Sequence, residues 1–172
     1  MCYSKLKVLT MTANTLIYRQ QIMAADPHAI SRIVQSSGFF SAEEIALARE
    51  LAEEKLDQGN ASSYQFLFAE DEDSVIGYTC FGLIPATSGS YDLYWIAVDE
   101  KFRSQGLGKE LMQKTQHIIS GVGGRLIYAE TSSRDQYKTT HGFYENCGYR
   151  QEAFLKDFYA PGDSKIIYVK TL

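Results

Sequence analysis

One stretch limits what this chain can fold into more than any other: Tyr91-Asp92-Leu93-Tyr94-Trp95-Ile96-Ala97-Val98-Asp99-Glu100-Lys101-Phe102-Arg103-Ser104-Gln105-Gly106-Leu107-Gly108-Lys109-Glu110-Leu111-Met112. Residues 91–98 are rich in aromatic and β-branched side chains and read as a largely buried strand. From Gly108 onward, Leu111, Met112, Ile118 and Ile119, with Thr115 between them, recur at a helical period. Gly106 and Gly108 let the main chain of the joining loop approach a ligand closely. A helix that begins there turns free N–H groups and its positive dipole end into the same space. The stretch therefore predicts a strand, a loop suited to an anion, and a helix.

Other anion-binding fingerprints fit worse. A Walker loop requires Gly-Lys followed by Ser or Thr, but Gly108-Lys109 precedes Glu110, which argues against a mononucleotide site. A dinucleotide-binding turn requires a third glycine where Leu111 stands. Taken alone, Arg103-x-x-Gly106-x-Gly108 also suits a purely structural turn.

The chain has 172 residues, 45% hydrophobic and 22% charged, which predicts one soluble domain over residues 15–172 behind an N-terminal extension over 1–14. Polar Thr12 to Thr15 stand where a leader peptide would need an apolar core, so the start of the chain reads as an extension, with Met11 as an alternative start. No apolar run approaches the ~18–20 residues that span a bilayer. A net charge of −4, with Lys and Arg scattered, argues against nucleic acid and suits a cationic substrate. Cys2, Cys80 and Cys147 are odd in number and far apart, with no metal-ligand spacing, so neither disulfide nor metal is expected and the cytoplasm is the expected compartment.

In chain order, residues 15–20 read as a strand and Asp26-Pro27 as a helix start, with Asp26 as the capping acceptor. Ser41-Ala42-Glu43-Glu44 is a capping box that opens a second helix, stopped at Gly59. Residues 64–70 and 74–82 form a hairpin around the acidic turn 71–73. After strand 91–98 and the helix to about residue 120 come strand 125–131, a short helix over about 137–146, and strands over 149–154 and 164–171. The expected order is β-α-α-β-β-β-α-β-α-β-β, an α+β fold with a mixed, mostly antiparallel sheet flanked by helices.

Two segments together resemble a known family. The loop at 103–108, behind a strand ending Ile96-Ala97-Val98-Asp99, resembles the acetyl-CoA-binding motif of the GCN5-related N-acetyltransferases (GNAT). Gly142-Phe143-Tyr144-Glu145-Asn146-Cys147-Gly148-Tyr149 is similar to the family's second motif. The resemblance spans about residues 15–172 and implies transfer of an acetyl group from acetyl-CoA to a primary amine of a small molecule or a peptide. It implies the GNAT element order, no metal and a possible homodimer. A non-catalytic acyl-CoA-binding regulatory module is the competing reading.

Mapped residue by residue, the resemblance implies that the backbones of Ile96 and Val98 hold the pantetheine arm. The N–H groups of Ser104, Gln105, Gly106, Leu107, Gly108 and Lys109 hold the pyrophosphate, with Arg103 as a supporting cation. Tyr144 stands at the general acid's position and Asp92 at that of a base in members acting on lysine side chains, with Glu130 as runner-up. Many members have Asn where Tyr137 stands and Ala at Thr140; Tyr137 is expected to run along the pantetheine arm instead. Phe39, Phe40 and Ser41 are acceptor-side candidates, and His117 and His141 read as surface residues. Cys147 is not placed for an acyl-enzyme, so transfer is expected to be direct.

Overall fold

The computed structural model describes residues 16–172, so the expected extension and the alternative start at Met11 lie outside the described residues. The elements are β1 (Ile17–Arg19), α1 (Asp26–Ser36), α2 (Ala42–Gln58), β2 (Gln65–Asp71), β3 (Ser74–Leu83), β4 (Ser90–Val98), α3 (Leu107–Gly121), β5 (Leu126–Ser132), α4 (Lys138–Asn146), β6 (Arg150–Ala160) and β7 (Asp163–Thr171). This is the expected order. The seven strands form one sheet, β1-β2-β3-β4-β5-β7-β6. Only β4 and β5 run parallel, because α3 carries the chain back across the sheet between them. The tight β2–β3 hairpin puts Glu72 and Asp73 at φ of 46° and 64°, a mirror-type turn that short acidic side chains tolerate.

The sheet buries its two faces differently. On one, Leu111, Met112 and Ile119 of α3 and Tyr144 of α4 pack on Phe81, Leu93, Ile127, Ala129, Ile166 and Tyr168. On the other, Ile30, Ile33 and Val34 of α1 and Ala48 and Ala52 of α2 pack on Phe66, Phe68, Tyr78, Cys80 and Ala97. This second cluster draws on β2, β3 and β4 alone, so the same face of β5 and β7 has no helix of the cluster over it. Among the described residues no helix is long and apolar enough to cross a membrane.

The capping box forms as expected: Ser41 Oγ accepts from the Glu44 N–H at 3.2 Å, and a Glu44 carboxylate oxygen accepts from the Ser41 N–H at 2.8 Å. Asp26, however, is not the cap of α1. Ala25 holds that place, and the Asp26 carboxylate, 1% exposed, takes two Arg19 nitrogens at 2.8 and 2.6 Å and the Met23 N–H at 2.6 Å. Arg19 Nε also donates to Glu70 at 2.8 Å, so one guanidinium ties β1, β2 and α1 together. Sequence spacing shows a polar residue before Pro27, but not the arginine that draws it inward. The last hairpin also differs: β6 runs to Ala160 rather than stopping at residue 154. Its irregular pairing with β7 absorbs extra residues, which blurs the alternation that marks a strand.

Tyr78 has a hydroxyl with no partner among the described residues, at a fully buried position in the second cluster, and its phenol is pushed well above the usual range by that burial. Replacing it with Phe removes an unsatisfied polar atom and keeps the ring. Tyr78→Phe is therefore expected to raise stability by about 1 kcal/mol, read from denaturant unfolding. A loss of stability would mean that the hydroxyl has a partner after all.

Candidate functional site

The site begins with a defect in β4. Cys80 lies opposite Trp95 and Phe81 opposite Leu93, so Tyr94 is an extra residue, a bulge that bends the strand. Pairing of β4 with β5 ends with Leu93 opposite Ala129, and beyond it the two strands part. The Asp99 N–H donates to the Ile76 carbonyl at 2.8 Å, which makes Val98 and Gly77 a non-hydrogen-bonded pair. The Val98 N–H and C=O therefore face away from β3, into the gap between β4 and β5, and the same groups of Ile96 do so two residues earlier. The Val98 carbonyl is taken by Arg103 Nε at 3.0 Å. The Val98 N–H and both Ile96 groups remain turned to the gap.

Past β4 the chain is held in place before it turns. The Asp99 carboxylate binds Arg32 of α1 and accepts from the Lys101 N–H at 3.1 Å, fixing the single helical turn Glu100–Phe102. Ser104 and Gly106 then take positive φ of 61° and 88°. Gly106 is the N-cap of α3, with no side-chain hydrogen bond there, and the Glu110 N–H bonds back to its carbonyl at 3.0 Å. The N–H groups of Leu107, Gly108 and Lys109 thus have no acceptor within the helix. A Cβ built at Gly106 would meet nothing within 4 Å, whereas one at Gly108 would touch the Phe143 ring at 3.5 Å. Open space in front of uncapped N–H groups at a helix N-terminus fits the pyrophosphate of CoA, and the gap beside Ile96 and Val98 fits an extended amide arm.

Not every loop side chain joins in. Leu107 is 5% exposed and packs in the core with Leu111, which fixes where the helix starts. Gln105 Nε2 folds back onto the Lys101 carbonyl at 3.1 Å. Lys109 lines a groove of about 740 Å³ between α3 and β1, with Tyr18 and Lys114, and Gly106 borders the same groove.

Where β4 and β5 part, a cleft of about 530 Å³ opens, lined by Tyr94, Trp95 and Ile96, by Glu130 to Ser132 and Arg134 after β5, by Tyr137, Thr140 and Tyr144 on α4, by Phe40, Ser41 and Glu44, and by Tyr159 and Asp163. Tyr144 is 6% exposed, its ring packed 5.5 Å from Tyr149 and 5.4 Å from Tyr168. Burial pushes its phenol well above the usual range, with Cys147 and Tyr168 adding to the shift, so it keeps its proton at neutral pH. Asp92 is half-buried on β4, and burial raises its carboxyl above the usual range; Glu130 adds to the rise and Lys165 opposes it. Glu130 is itself paired with Lys165. Tyr137 is the N-cap of α4 and borders the same cleft. Phe40 packs edge-on against Trp95 at 5.0 Å, whereas Phe39 is 51% exposed and does not line the cleft.

Several cleft residues carry no signal in the sequence. Trp95 joins Tyr94 in the cleft wall because the bulge breaks the alternation of β4. Arg134 and Asp163 lie far apart in the chain and meet only across the β5–β7 ladder, at 3.0 Å. His141 is no mere surface residue: its Nε2–H donates to the Ser132 carbonyl at 2.8 Å and its ring stacks on Tyr168. His117 is exposed, as expected. Among the described residues no group of three or more His, Cys, Asp or Glu is arranged to hold a metal.

The acetyltransferase (GNAT) domain matches residues 62–151, more than half of the chain. A crystal structure assigned to the GNAT acetyltransferases, from Desulfovibrio desulfuricans, is 44% identical over 91% of this chain and 99% of that one, with a TM-score of 0.90. A ribosomal-protein alanine N-acetyltransferase from Escherichia coli is 18% identical over 91% of this chain and 94% of its own, with a TM-score of 0.72. The PaiA N-acetyltransferase from Thermoplasma acidophilum, solved with coenzyme A, is 17% identical over 92% of this chain and 99% of its own, with a TM-score of 0.70. These last two share the fold. A search of curated proteins finds no match. With the parted β4–β5 strands, the uncapped helix start and this sequence match together, the chain belongs to the GNAT family and is an N-acetyltransferase enzyme, of the class that transfers acetyl groups from acetyl-CoA.

Proposed function

We propose that the protein transfers the acetyl group of acetyl-CoA directly to a primary amine, in the cytoplasm, with Tyr144 as general acid and Asp92 as base. The observation that carries this reading is the cleft itself: a buried, protonated phenol and the backbone of Ile96 border one space, with Glu130 on its rim and Asp92 beside Glu130. The N–H groups of residues 104–109 and the free edge of Ile96 and Val98 orient the cofactor. When bound, acetyl-CoA supplies a thioester whose C–S bond breaks as the acceptor nitrogen bonds to the acetyl carbon. Asp92 takes one proton from the acceptor ammonium and passes it to solvent. Tyr144 gives its phenolic proton to the departing thiolate and recovers one from the newly acylated nitrogen. The books close with amide, free thiol and one released proton.

The test is thiol release from acetyl-CoA with a panel of amines, run across pH on wild type and Asp92→Asn. Below its raised pKa Asp92 is protonated and idle; well above the acceptor's own pKa the amine is already neutral. The mutant's deficit is therefore expected between those limits, falling as pH rises towards the acceptor pKa, at roughly tenfold or more where it is largest. Parallel pH profiles would pass the role of base to Glu130. Acetyl-CoA binding with no thiol release on any amine would point to the non-catalytic module.

A further inference from the structure

Acid groups dominate the cleft by number, yet most are already engaged. Glu130 holds Lys165, Glu44 caps the Ser41 N–H, and Asp163 accepts from Ser132 Oγ and pairs with Arg134 Nε. Two charged groups are left with capacity. One is Asp92, which lies outside the residues lining the cleft but stands half-buried on β4 beside Glu130, with no hydrogen-bond partner among the described residues. The other is the far end of Arg134.

The Arg134 guanidinium is held from behind. Its Nε lies 3.0 Å from Asp163 Oδ2 and 3.3 Å from Ser132 Oγ, and the main-chain N–H of Arg134 donates to Ser132 Oγ at 3.1 Å. Ser132 and Asp163 are both buried, on the paired strands β5 and β7. The side chain is nevertheless 50% exposed and lines the cleft, with its guanidinium carbon 5.7 Å from the centroid of the Tyr137 ring and its terminal nitrogens still open to hydrogen bonding. Among the described residues nothing accepts from them. A guanidinium anchored through Nε at a cleft wall, its terminal nitrogens unbonded, keeps the fork that matches a carboxylate in two parallel hydrogen bonds.

We propose that the acceptor is a small amino-carboxylate, with its carboxylate on the Arg134 fork and its ammonium towards Asp92; this rests on the acetyl-transfer reading above. The cleft's charges then match a zwitterion, which narrows the cationic acceptor expected from net charge. Its volume of about 530 Å³ suits a residue-sized molecule beside the end of the pantetheine arm. Tyr159 and Asp163 on the last hairpin and Phe40 before α2 complete its wall.

The test uses matched acceptors, free amino acids and their carboxamides, on the full chain. Thiol release gives the ratio of kcat/KM between the two members of each pair, and calorimetry on the CoA-loaded protein gives the same ratio for binding. Wild type is expected to favour the carboxylate by about tenfold or more, and Arg134→Gln to cut that ratio by about tenfold. Arg134→Lys, which keeps the charge opposite Asp163 but loses the fork, is expected to keep part of the preference. CoA affinity measured on each variant shows that the cofactor side is intact. No preference in wild type overturns the proposal, as does Arg134→Gln lowering both members alike, or a peptide amine used better than the free amino acid. If amines are acetylated regardless of a carboxylate, acetyl transfer stands and this proposal falls. If the carboxylate preference appears in binding and is lost in Arg134→Gln while no amine is acetylated, the amino-carboxylate site at Arg134 stands and the acetyl-transfer reading falls.

Discussion

Tyr144→Phe is expected to lower turnover by ~10²-fold while leaving CoA affinity nearly unchanged. The ring packs against Tyr149 and Tyr168, and Phe keeps those contacts. Only the proton donor is lost. A CoA thiolate is a tolerable leaving group without protonation, so the loss belongs at the lower end of the ~10²–10⁴ range for positioned acid catalysis. It should shrink as pH rises and the free thiolate becomes more stable in water. Because burial holds the Tyr144 phenol well above its usual range, any fall in wild-type activity at mildly alkaline pH belongs to another group. Thiol release and calorimetry on the same folded variant separate the two roles. A fall of less than about threefold, small against the range for a positioned acid, with binding intact, would make Tyr144 a packing residue.

Gly106→Val is expected to weaken CoA binding by at least about tenfold, about 1.4 kcal/mol. The branched side chain would fill the open space in front of the Leu107, Gly108 and Lys109 N–H groups. It also carries a conformational cost, since Gly106 sits at φ 88°, where a β-branched residue is strained by roughly 1–2 kcal/mol. Gly106→Asn separates the two effects: Asn tolerates left-handed backbone, so stability recovers, but its side chain still projects into the space and affinity stays low. Gly108→Ala is the contrast, because its Cβ makes only ordinary contact with Phe143 at 3.5 Å. Unchanged CoA affinity in folded Gly106→Val would remove this loop from the cofactor site.

The element order and the glycine turn into α3 were legible in the sequence because both are local. A strand, two glycines and a helical period sit within one run, 91–112, and each follows from the chemistry of near neighbours. The Ser41 box is local in the same way, and it formed as read. Asp26 shows the limit: its place before Pro27 marks a helix start, but its partner Arg19 lies on another element and draws the carboxylate into the interior. Tertiary structure decided the cleft. One extra residue at Tyr94 breaks the two-residue period of β4, so no pattern in the sequence tells that Tyr94 and Trp95 would share the cleft wall or that β4 and β5 would part beyond Leu93. The Arg134 fork is equally invisible, since Ser132 and Asp163 are separated by 31 residues and only the β5–β7 ladder brings them together. By itself the sequence determined which segments are strand, helix and glycine turn, since hydrophobic period and glycine placement act over a few residues. Which side chains face one another across the cleft was left to strand register and to the bulge, because such contacts depend on how distant segments pair and leave no periodic mark on either one.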